Sequence, residues 1–316
     1  MNPALPAPPR IASARNLADG TLCGIAAVAI WAGWLVMMRF GIAVHLTVPD
    51  LTALRFGVAG LVLLPVIMRR GWAFDRLGWT GLAAIVLGGG APYALVVGTG
   101  LLFAPVAHAS ALTQGVVPLT IALLAAVMLK ERLSRIQVVG LVLIVCGGLT
   151  IGGIGLTGFG GTQSIGHLCF LGAACLWAFY TVAMRRVGLD GLHAASIAAV
   201  GSLVLYLPLY LMIFGGRLLD VPLSDILVQG LYQGVLTAVI SLVLYGRAVQ
   251  LLGASSGGAL VALGPVMAAL ISIPILDEWP TQTDWAAITV ISVGVYLASV
   301  RTHSRSSPGS RFRSTR

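Results

Sequence analysis

The sequence predicts an all-α integral membrane protein of ten transmembrane helices, arranged as two inverted five-helix repeats. Three observations carry this prediction: long apolar runs, an uneven distribution of basic residues and an internal repeat. Hydrophobic residues make up 58% of the 316 residues and charged residues only 9%, whereas soluble domains carry roughly a quarter charged residues. The composition therefore argues against an ordinary soluble enzyme or binding domain.

Ten apolar runs approach the length of about 20 residues that a helix needs to cross a bilayer. Short connections with charged or turn residues separate them, such as Arg69-Arg70-Gly71 and Asp190-Gly191. The predicted spans are residues 21–38, 51–68, 79–99, 106–129, 136–153, 165–184, 193–214, 227–246, 255–276 and 285–300.

The 19 Lys and Arg residues cluster at one side of these spans. With a cytoplasmic N-terminus, sixteen fall inside, only Arg39 and Arg217 fall outside, and Arg55 lies within the second span. Because cytoplasmic loops are enriched in Lys and Arg, we expect a multi-pass protein with both termini in the cytoplasm. Scattered single and paired basic residues do not form a phosphate-tracking groove, so the net charge of +9 does not indicate a nucleic-acid partner.

The terminal segments and the cysteines predict no further domain or cofactor. Residues 1–19 are rich in Pro and Ala and are predicted to be a disordered cytoplasmic N-terminus. A cleaved signal peptide is the alternative, but the next apolar run is longer than a signal core. Residues 301–316 are predicted to be a basic cytoplasmic tail. The four cysteines lie in apolar runs without C-x-x-C spacing, so we expect no disulfide framework, metal site or cofactor.

An internal repeat appears at nearly one offset. Residues 31–39 read WAGWLVMMR and residues 177–185 read WAFYTVAMR, identical at five of nine positions. Residues 118–131 read PLTIALLAAVMLKE and residues 265–278 read PVMAALISIPILDE, identical at five of fourteen positions. Each half has five spans. Because five is an odd number, the second half enters the membrane from the opposite side. The predicted halves are residues 20–153 and 165–300.

The ten-span plan and its motifs resemble the EamA family of the drug/metabolite transporter superfamily. The motifs are W-A-x-x-x-V-x-M-R at the start of each half, Arg55-Phe56 in span two, and P…(K/D)-E at the ends of spans four and nine. The resemblance implies a secondary carrier in a bacterial inner membrane, usually an exporter of amino acids or other small metabolites. Its partners would be a small-molecule solute, the lipid bilayer and, in some cases, a proton; monomer and homodimer both stay open. Gly201 stands at the position repeat-related to Arg55, so the arginine is not duplicated.

Aromatic residues repeat on one face of spans one and six. Trp31 and Trp34 lie on span one, and Trp177 and Tyr180 occupy the repeat-related positions on span six. These rings could line a central cavity and stack on a solute. Ordinary helix packing is the alternative, as is an interfacial aromatic belt for Trp34 and Tyr180.

Arg55 is the charged residue that the sequence places within a span. A charge near the hydrocarbon costs a few kcal/mol unless it faces protein or water, so Arg55 is a candidate to bind a substrate carboxylate. The alternatives are an ion pair with Asp50 or a side chain that reaches back to the membrane surface.

Three other polar residues and two prolines complete the predicted site. His108, at the outer start of span four, could carry a proton or hydrogen-bond a neighbouring helix. Gln114 lies deeper in that span, and Tyr93 follows a glycine run in span three. Pro118 and Pro265 lie mid-span in spans four and nine, where proline bends a helix, and are predicted hinges beside a binding site.

Two other function classes stay open. The run Gly253-Ala254-Ser255-Ser256-Gly257 spells G-x-S-x-G, so an intramembrane hydrolase could use Ser255 with a histidine such as His193. That motif needs a strand–turn–helix elbow, whereas here it opens a membrane helix. A non-transporting membrane sensor is the other class. Glu131 and Glu278, which end spans four and nine, are predicted to form ion pairs.

Overall fold

The computed structural model describes residues 14–128, 133–153 and 161–299, and every regular element in those ranges is helical. A 3₁₀ turn at Arg217–Asp220, a π-helical segment at Gly230–Ile240 and a 3₁₀ turn at Val261–Leu263 join some of the α-helices. The α-helices are α1 (Ala14–Val44), α2 (Val48–Arg70), α3 (Phe74–Gly89), α4 (Ala91–Leu101), α5 (Val106–Thr113), α6 (Val117–Met128), α7 (Arg135–Ile151), α8 (Gln163–Arg186), α9 (Gly191–Phe214), α10 (Leu223–Gln229), α11 (Ser241–Leu252), α12 (Ala254–Leu260), α13 (Gly264–Leu276) and α14 (Gln282–Ser299).

Eight helical stretches of the described chain are long and apolar enough to cross a membrane. Four of them consist of successive pieces: α3 with α4, α5 with α6, α10 with the π-helical segment and α11, and α12 with α13. The two other predicted spans correspond to α7, which has 17 residues, and α14, which opens with polar Gln282-Thr283-Asp284. The all-helical membrane class is confirmed, while the count of ten spans and the inversion stay predictions.

The first helix is longer than predicted. It begins at Ala14, so residues 14–19 are helical where the sequence predicted disorder. The reason is that this stretch, ARNLAD, contains strong helix formers and continues directly into the first apolar run. Residues 1–13 and 300–316 lie outside the described residues.

Capping residues define the start of α2. The Thr47 side chain accepts from the backbone N–H of Asp50, and the Asp50 carboxylate accepts from the Thr47 N–H and hydroxyl. This capping box, with Pro49 in the first turn, satisfies donors that a helix end leaves unpaired. At the other end, Gly71 has a φ of +72°, which favours glycine.

The helices pack in a pattern that follows the sequence repeat. The first helix of the first half, α1, packs against α11 and α13, and the first helix of the second half, α8, packs against α3 and α6. In each case the partners come from the third and fourth spans of the other half. Helix α2 packs against α9, and α7 packs against α14, which pairs corresponding spans of the two halves.

Candidate functional site

Four aromatic rings from three helices form a continuous chain. Trp34 of α1 stacks on Tyr93 of α4 with 5.8 Å between ring centroids. Tyr93 contacts Trp177 of α8 at 5.2 Å, and Trp177 contacts Tyr180 at 4.9 Å. These distances are typical of favourable aromatic pairs. The structure therefore brings together four of the predicted site residues, here called the ring chain.

Arg55 lies against one end of the ring chain. Its guanidinium carbon is 4.5 Å from the centroid of the Trp34 ring, a cation–π geometry. The Nη1 atom of Arg55 is buried and has no hydrogen-bond partner, and the same is true of the Trp34 indole Nε1. Two buried donors without acceptors thus stand beside each other, although most buried polar groups in proteins are hydrogen-bonded.

Asp50 does not neutralise Arg55, so the predicted alternative of an ion pair between them is wrong. The Asp50 side chain is fully buried and accepts hydrogen bonds from the Tyr210 hydroxyl and from Thr47. Arg217 supplies the opposite charge, with its Nε 3.2 Å from Asp50 Oδ2. Apart from Thr47, the partners of this carboxylate follow far along the chain.

Trp31 is separate from the ring chain. Its indole Nε1 donates to the Ser241 hydroxyl at 2.8 Å, and its ring lies 5.1 Å from the ring of Tyr245. Both partners belong to α11. The predicted aromatic stripe of span one therefore divides, with Trp34 facing Arg55 and Trp31 hydrogen-bonded to a neighbouring helix.

Gln114 lies where two broken helices meet. The chain between α5 and α6 leaves the helix at residues 114–116, and Pro118 is the second residue of α6; likewise Pro265 is the second residue of α13. The Gln114 amide donates to the carbonyl of Trp31, 3.3 Å away, and its Oε1 lies against Gly264 at the start of α13. Both prolines thus occupy first-turn positions, where the missing N–H costs nothing.

His108 is the middle member of a chain of polar contacts between three helices. Its Nδ1 lies 2.9 Å from His167 Nε2 on α8, and its Nε2 lies 2.9 Å from Asp284 Oδ1 on α14. Asp284 also accepts from the Thr281 N–H and hydroxyl. The sequence singled out His108 alone, because its two partners lie in other spans.

An ion pair joins the two halves beside this polar chain. Arg39, at the end of the first repeat motif, contacts Glu278 with 3.1 Å between Nε and Oε1. Arg39 also donates to the Leu101 carbonyl, and Glu278 accepts from the Val106 N–H. The predicted ion pair of Glu278 is confirmed, and it ties four helix ends together. Glu131 lies outside the described residues.

The family comparison matches the two halves separately. The EamA-like transporter family matches residues 19–153 and again residues 164–300. The chain belongs to the EamA-like transporter family. A solved structure described only as "Crystal structure of protein" is similar to this EamA-like chain, with 25% sequence identity and a TM-score of 0.58. That match covers 89% of this chain and 96% of the other. No curated protein matches the chain.

Two cavities of this EamA-like protein lie between helices outside the ring chain. One, of about 290 Å³, is apolar and bounded by α5, α6, α7 and α8, with His167 on its wall. The other, of about 390 Å³, lies between α3 and α8 and exposes Arg76 and Arg186. None of the predicted site residues lines either cavity. In the part of the chain that the structure describes, no group of three or more His, Cys, Asp or Glu residues could hold a metal ion.

The residues of the hydrolase alternative are not shown to meet. His193 Nε2 lies 2.9 Å from the Gly71 carbonyl, and the His193 N–H donates to the Asp190 side chain. These contacts hold the end of α2 against the start of α9. The side chain of Ser255 lies outside the described residues.

Two buried glutamines escaped the sequence analysis of this EamA-like chain. Gln229 of α10 donates through Nε2 to the Met37 carbonyl at 2.8 Å, and Gln233 of the π-helical segment donates through Nε2 to Gln229 Oε1 at 3.2 Å. The Gln233 Oε1 is buried without a partner. Their signal was available in the sequence, since two amides four residues apart interrupt an apolar span.

Proposed function

We propose that this EamA-like protein is a secondary carrier that exports amino acids or similar small metabolites by alternating access. Family membership supports a transporter. The sequence contains no G-x-x-x-x-G-K-[ST] loop for nucleotide phosphates, which supports a carrier driven by gradients. The observation that carries the substrate class is Arg55, whose buried Nη1 has no partner.

A carboxylate is the ligand that best satisfies this arginine. Leaving a buried charge unpaired is strongly unfavourable, and a guanidinium matches a carboxylate with two parallel hydrogen bonds. The unpaired Trp34 Nε1 offers another donor beside it. The rings of Tyr93 and Trp177 continue from Trp34 and would provide an apolar wall for the rest of the solute.

The proposed architecture is ten spans in two inverted halves of five. The family matches each half separately, and the packing partners of α1 and α8 exchange between the halves, which supports a two-fold relation between them. In this proposal the close pair of α7 and α14 supplies the fifth span of each half. Each half can then adopt the conformation of the other, which moves access from one side to the other.

The breaks near Pro118 and Pro265 are the proposed hinges. They meet at Gln114 and Gly264, so a change at one break reaches the other directly. The Arg39–Glu278 pair would hold the outer side closed, because it ties helix ends from both halves. Opening outward would require this partly exposed pair to separate, at a cost of about 1 kcal/mol or less.

The proposed location is a bacterial inner membrane, with both termini in the cytoplasm. The basic residues support this orientation, since sixteen of 19 fall on the cytoplasmic side of the ten-span arrangement. Either a monomer or a homodimer is compatible with this arrangement.

Proton coupling would use the chain of His167, His108 and Asp284. Histidine changes charge near neutral pH, and His108 contacts a possible proton donor on one side and a carboxylate on the other. A proton arriving at His108 would be stabilised by Asp284 and would alter the contacts among α5, α8 and α14.

Flux in proteoliposomes tests the proposal. Purified protein in preloaded vesicles should release a labelled amino acid or a related carboxylate saturably, above the rate of protein-free vesicles. An imposed pH gradient should change that rate if the histidine chain takes part. If the only solutes with saturable flux lack a carboxylate, the proposed substrate class is overturned. If a solute binds saturably but is not transported, the sensor is favoured.

A further inference from the structure

Three of the four buried side-chain atoms that lack a hydrogen-bond partner lie on mutually contacting helices. In the described ranges these four are Trp34 Nε1, Arg55 Nη1, Gln233 Oε1 and Ser292 Oγ. The first three belong to α1, α2 and the π-helical segment, which contact one another pairwise. Native proteins leave few buried polar groups unsatisfied, and each such group calls for an explanation.

The packing of α2 brackets Gln233 and Arg55 between the same two levels. Leu51 and Val58 lie one turn before and one turn after Arg55 on α2. A Cβ at Gly41 would lie 2.7 Å from Leu51 and 3.0 Å from the Gln229 amide, so these residues share a level. A Cβ at Gly234 would lie 2.5 Å from Val58, which defines the next level. Gln233 lies between those levels, as Arg55 does.

The contacts with α1 place Gln233 one turn from the level of Met37, in the same direction as Trp34. Gln229 donates to the carbonyl of Met37, and the Gln233 amide points to Gln229. Moving one turn along α1 from Met37 leads to Trp34. Moving one turn along the π-helical segment from Gln229 leads to Gln233. A shift of one turn from the Met37–Gln229 contact therefore leads to Trp34 on one helix and to Gln233 on the other. The Arg55 guanidinium already lies over the Trp34 ring.

The orientation of the Gln233 amide follows from its neighbours. Gln229 uses its Nε2 on the Met37 carbonyl, so its Oε1 faces Gln233 and requires a donor. Gln233 must therefore present its Nε2 to Gln229, which leaves its Oε1 as the free acceptor. The fully buried side chain cannot turn this acceptor to water. π-Helical turns often mark functional sites, and this one carries the acceptor.

We infer that Gln233 Oε1 is the acceptor for the ammonium group of an α-amino acid whose carboxylate is held by Arg55 and Trp34. Two donors and one acceptor on three contacting helices are the complement of a zwitterion: the carboxylate takes the two donors and the ammonium donates to the amide oxygen. This inference rests on the proposed function and assigns a residue to the amino group of the solute, which favours amino acids over related carboxylates without that group. Gln233 thereby becomes a specificity residue.

Paired ligands test the ammonium site. Binding to the purified protein would be measured calorimetrically for phenylalanine and its deaminated analogue 3-phenylpropionate, and for leucine and 4-methylpentanoate. At least one amino acid should bind more tightly than its analogue by roughly tenfold, the value of one hydrogen bond to a charged group. In Gln233→Ala that amino acid should lose about this factor, while its analogue keeps its affinity.

Gln233→Met and Ser292→Ala complete the design. Gln233→Met keeps the length of the side chain and removes the amide acceptor, so it should weaken amino-acid binding and leave binding of the plain acid unchanged. Ser292→Ala removes the fourth unpartnered atom, which lies on α14, and should leave the ligand ratio unchanged. If Gln233→Ala does not fold, the ratio measured for Gln233→Met decides.

The outcomes separate the two proposals. Equal affinity of wild-type protein for both members of each pair, or equal loss of both in the Gln233 variants, overturns the ammonium site and leaves the carboxylate carrier intact. If none of the four ligands binds and none of the amino acids is transported, the carboxylate carrier fails and the ammonium site fails with it.

Discussion

Asp50 and Arg55 lie little more than one turn apart on α2, and the fold surrounds their charges in opposite ways. Asp50 is enclosed by Thr47, Tyr210 and Arg217, so its capacity as an acceptor is largely used within the protein. Arg55 has an aromatic ring beneath its guanidinium and a buried nitrogen with no partner. One charge is thus part of the framework, and the other is available to a solute.

The largest expected effect on stability comes from Asp50→Ala. It removes the carboxylate half of the capping box of α2 and leaves the Tyr210 hydroxyl without its acceptor, so the free energy of unfolding should fall by about 3 kcal/mol. Thermal unfolding of the purified protein in detergent measures this. Asp225→Ala is the matched control, because it breaks only exposed contacts, with His45 and with the Ser224 hydroxyl, and should cost less than about 1 kcal/mol. Similar losses in both variants would contradict the framework role of Asp50.

The corresponding change at Arg55 should act on transport. In Arg55→Gln we expect flux of a carboxylate solute to fall on the order of a hundredfold, because the charged donor pair is lost. The thermal midpoint should stay near the wild-type value, since no acidic side chain in the described ranges pairs with the arginine. Vesicle flux and unfolding measured on the same preparation check both parts.

Arg55→Lys and Arg70→Gln sharpen this result. Lysine keeps the charge but not the two-pronged geometry, so its flux should lie between those of wild type and Arg55→Gln. Arg70 forms an exposed pair with Asp190 and should be neutral for flux. Unchanged flux in Arg55→Gln would make Arg55 structural.

A double-mutant cycle on Arg39 and Glu278 examines a charge pair of intermediate burial. The pair is about a quarter exposed, so the coupling energy should be about 1 kcal/mol, above that of surface pairs. If the pair closes the outer side, Glu278→Gln should also increase labelling of a cysteine placed at Val106 by an impermeant thiol reagent. Unchanged labelling would leave the pair with a role in stability only.

The smallest expected effects extend the comparison to two indoles. Trp34→Phe removes an unpaired N–H beside Arg55 and should weaken binding of a carboxylate solute by roughly fivefold, with little change in stability. Trp31→Phe removes a donor that Ser241 accepts, so it should cost about 1 kcal/mol of stability and leave affinity unchanged. Titration of ligand into each purified variant, followed by unfolding, measures both quantities. If Trp34→Phe lowers stability and Trp31→Phe lowers affinity, the proposed division of α1 into framework and solute-binding groups is wrong.

Local patterns predicted the helices because each is specified by residues near one another in the chain. The apolar runs, the turn residues and the mid-span prolines predicted the helical stretches and the breaks in two of them. The long π-helical segment at Gly230–Ile240 was not predicted, since no local residue pattern marks it.

Burial within an apolar span also marked Arg55 as a site residue before its surroundings were known. The sequence by itself determined that this charge lies in a membrane helix and that the chain consists of two similar halves.

Only the tertiary structure decided which charges find partners. Asp50 accepts a hydrogen bond from Tyr210 of α9 and pairs with Arg217, both more than 150 residues away, rather than with the arginine five residues along. The physical reason is that side chains five apart point to different sides of a helix. Which groups stay free to bind a solute therefore depends on how the helices pack.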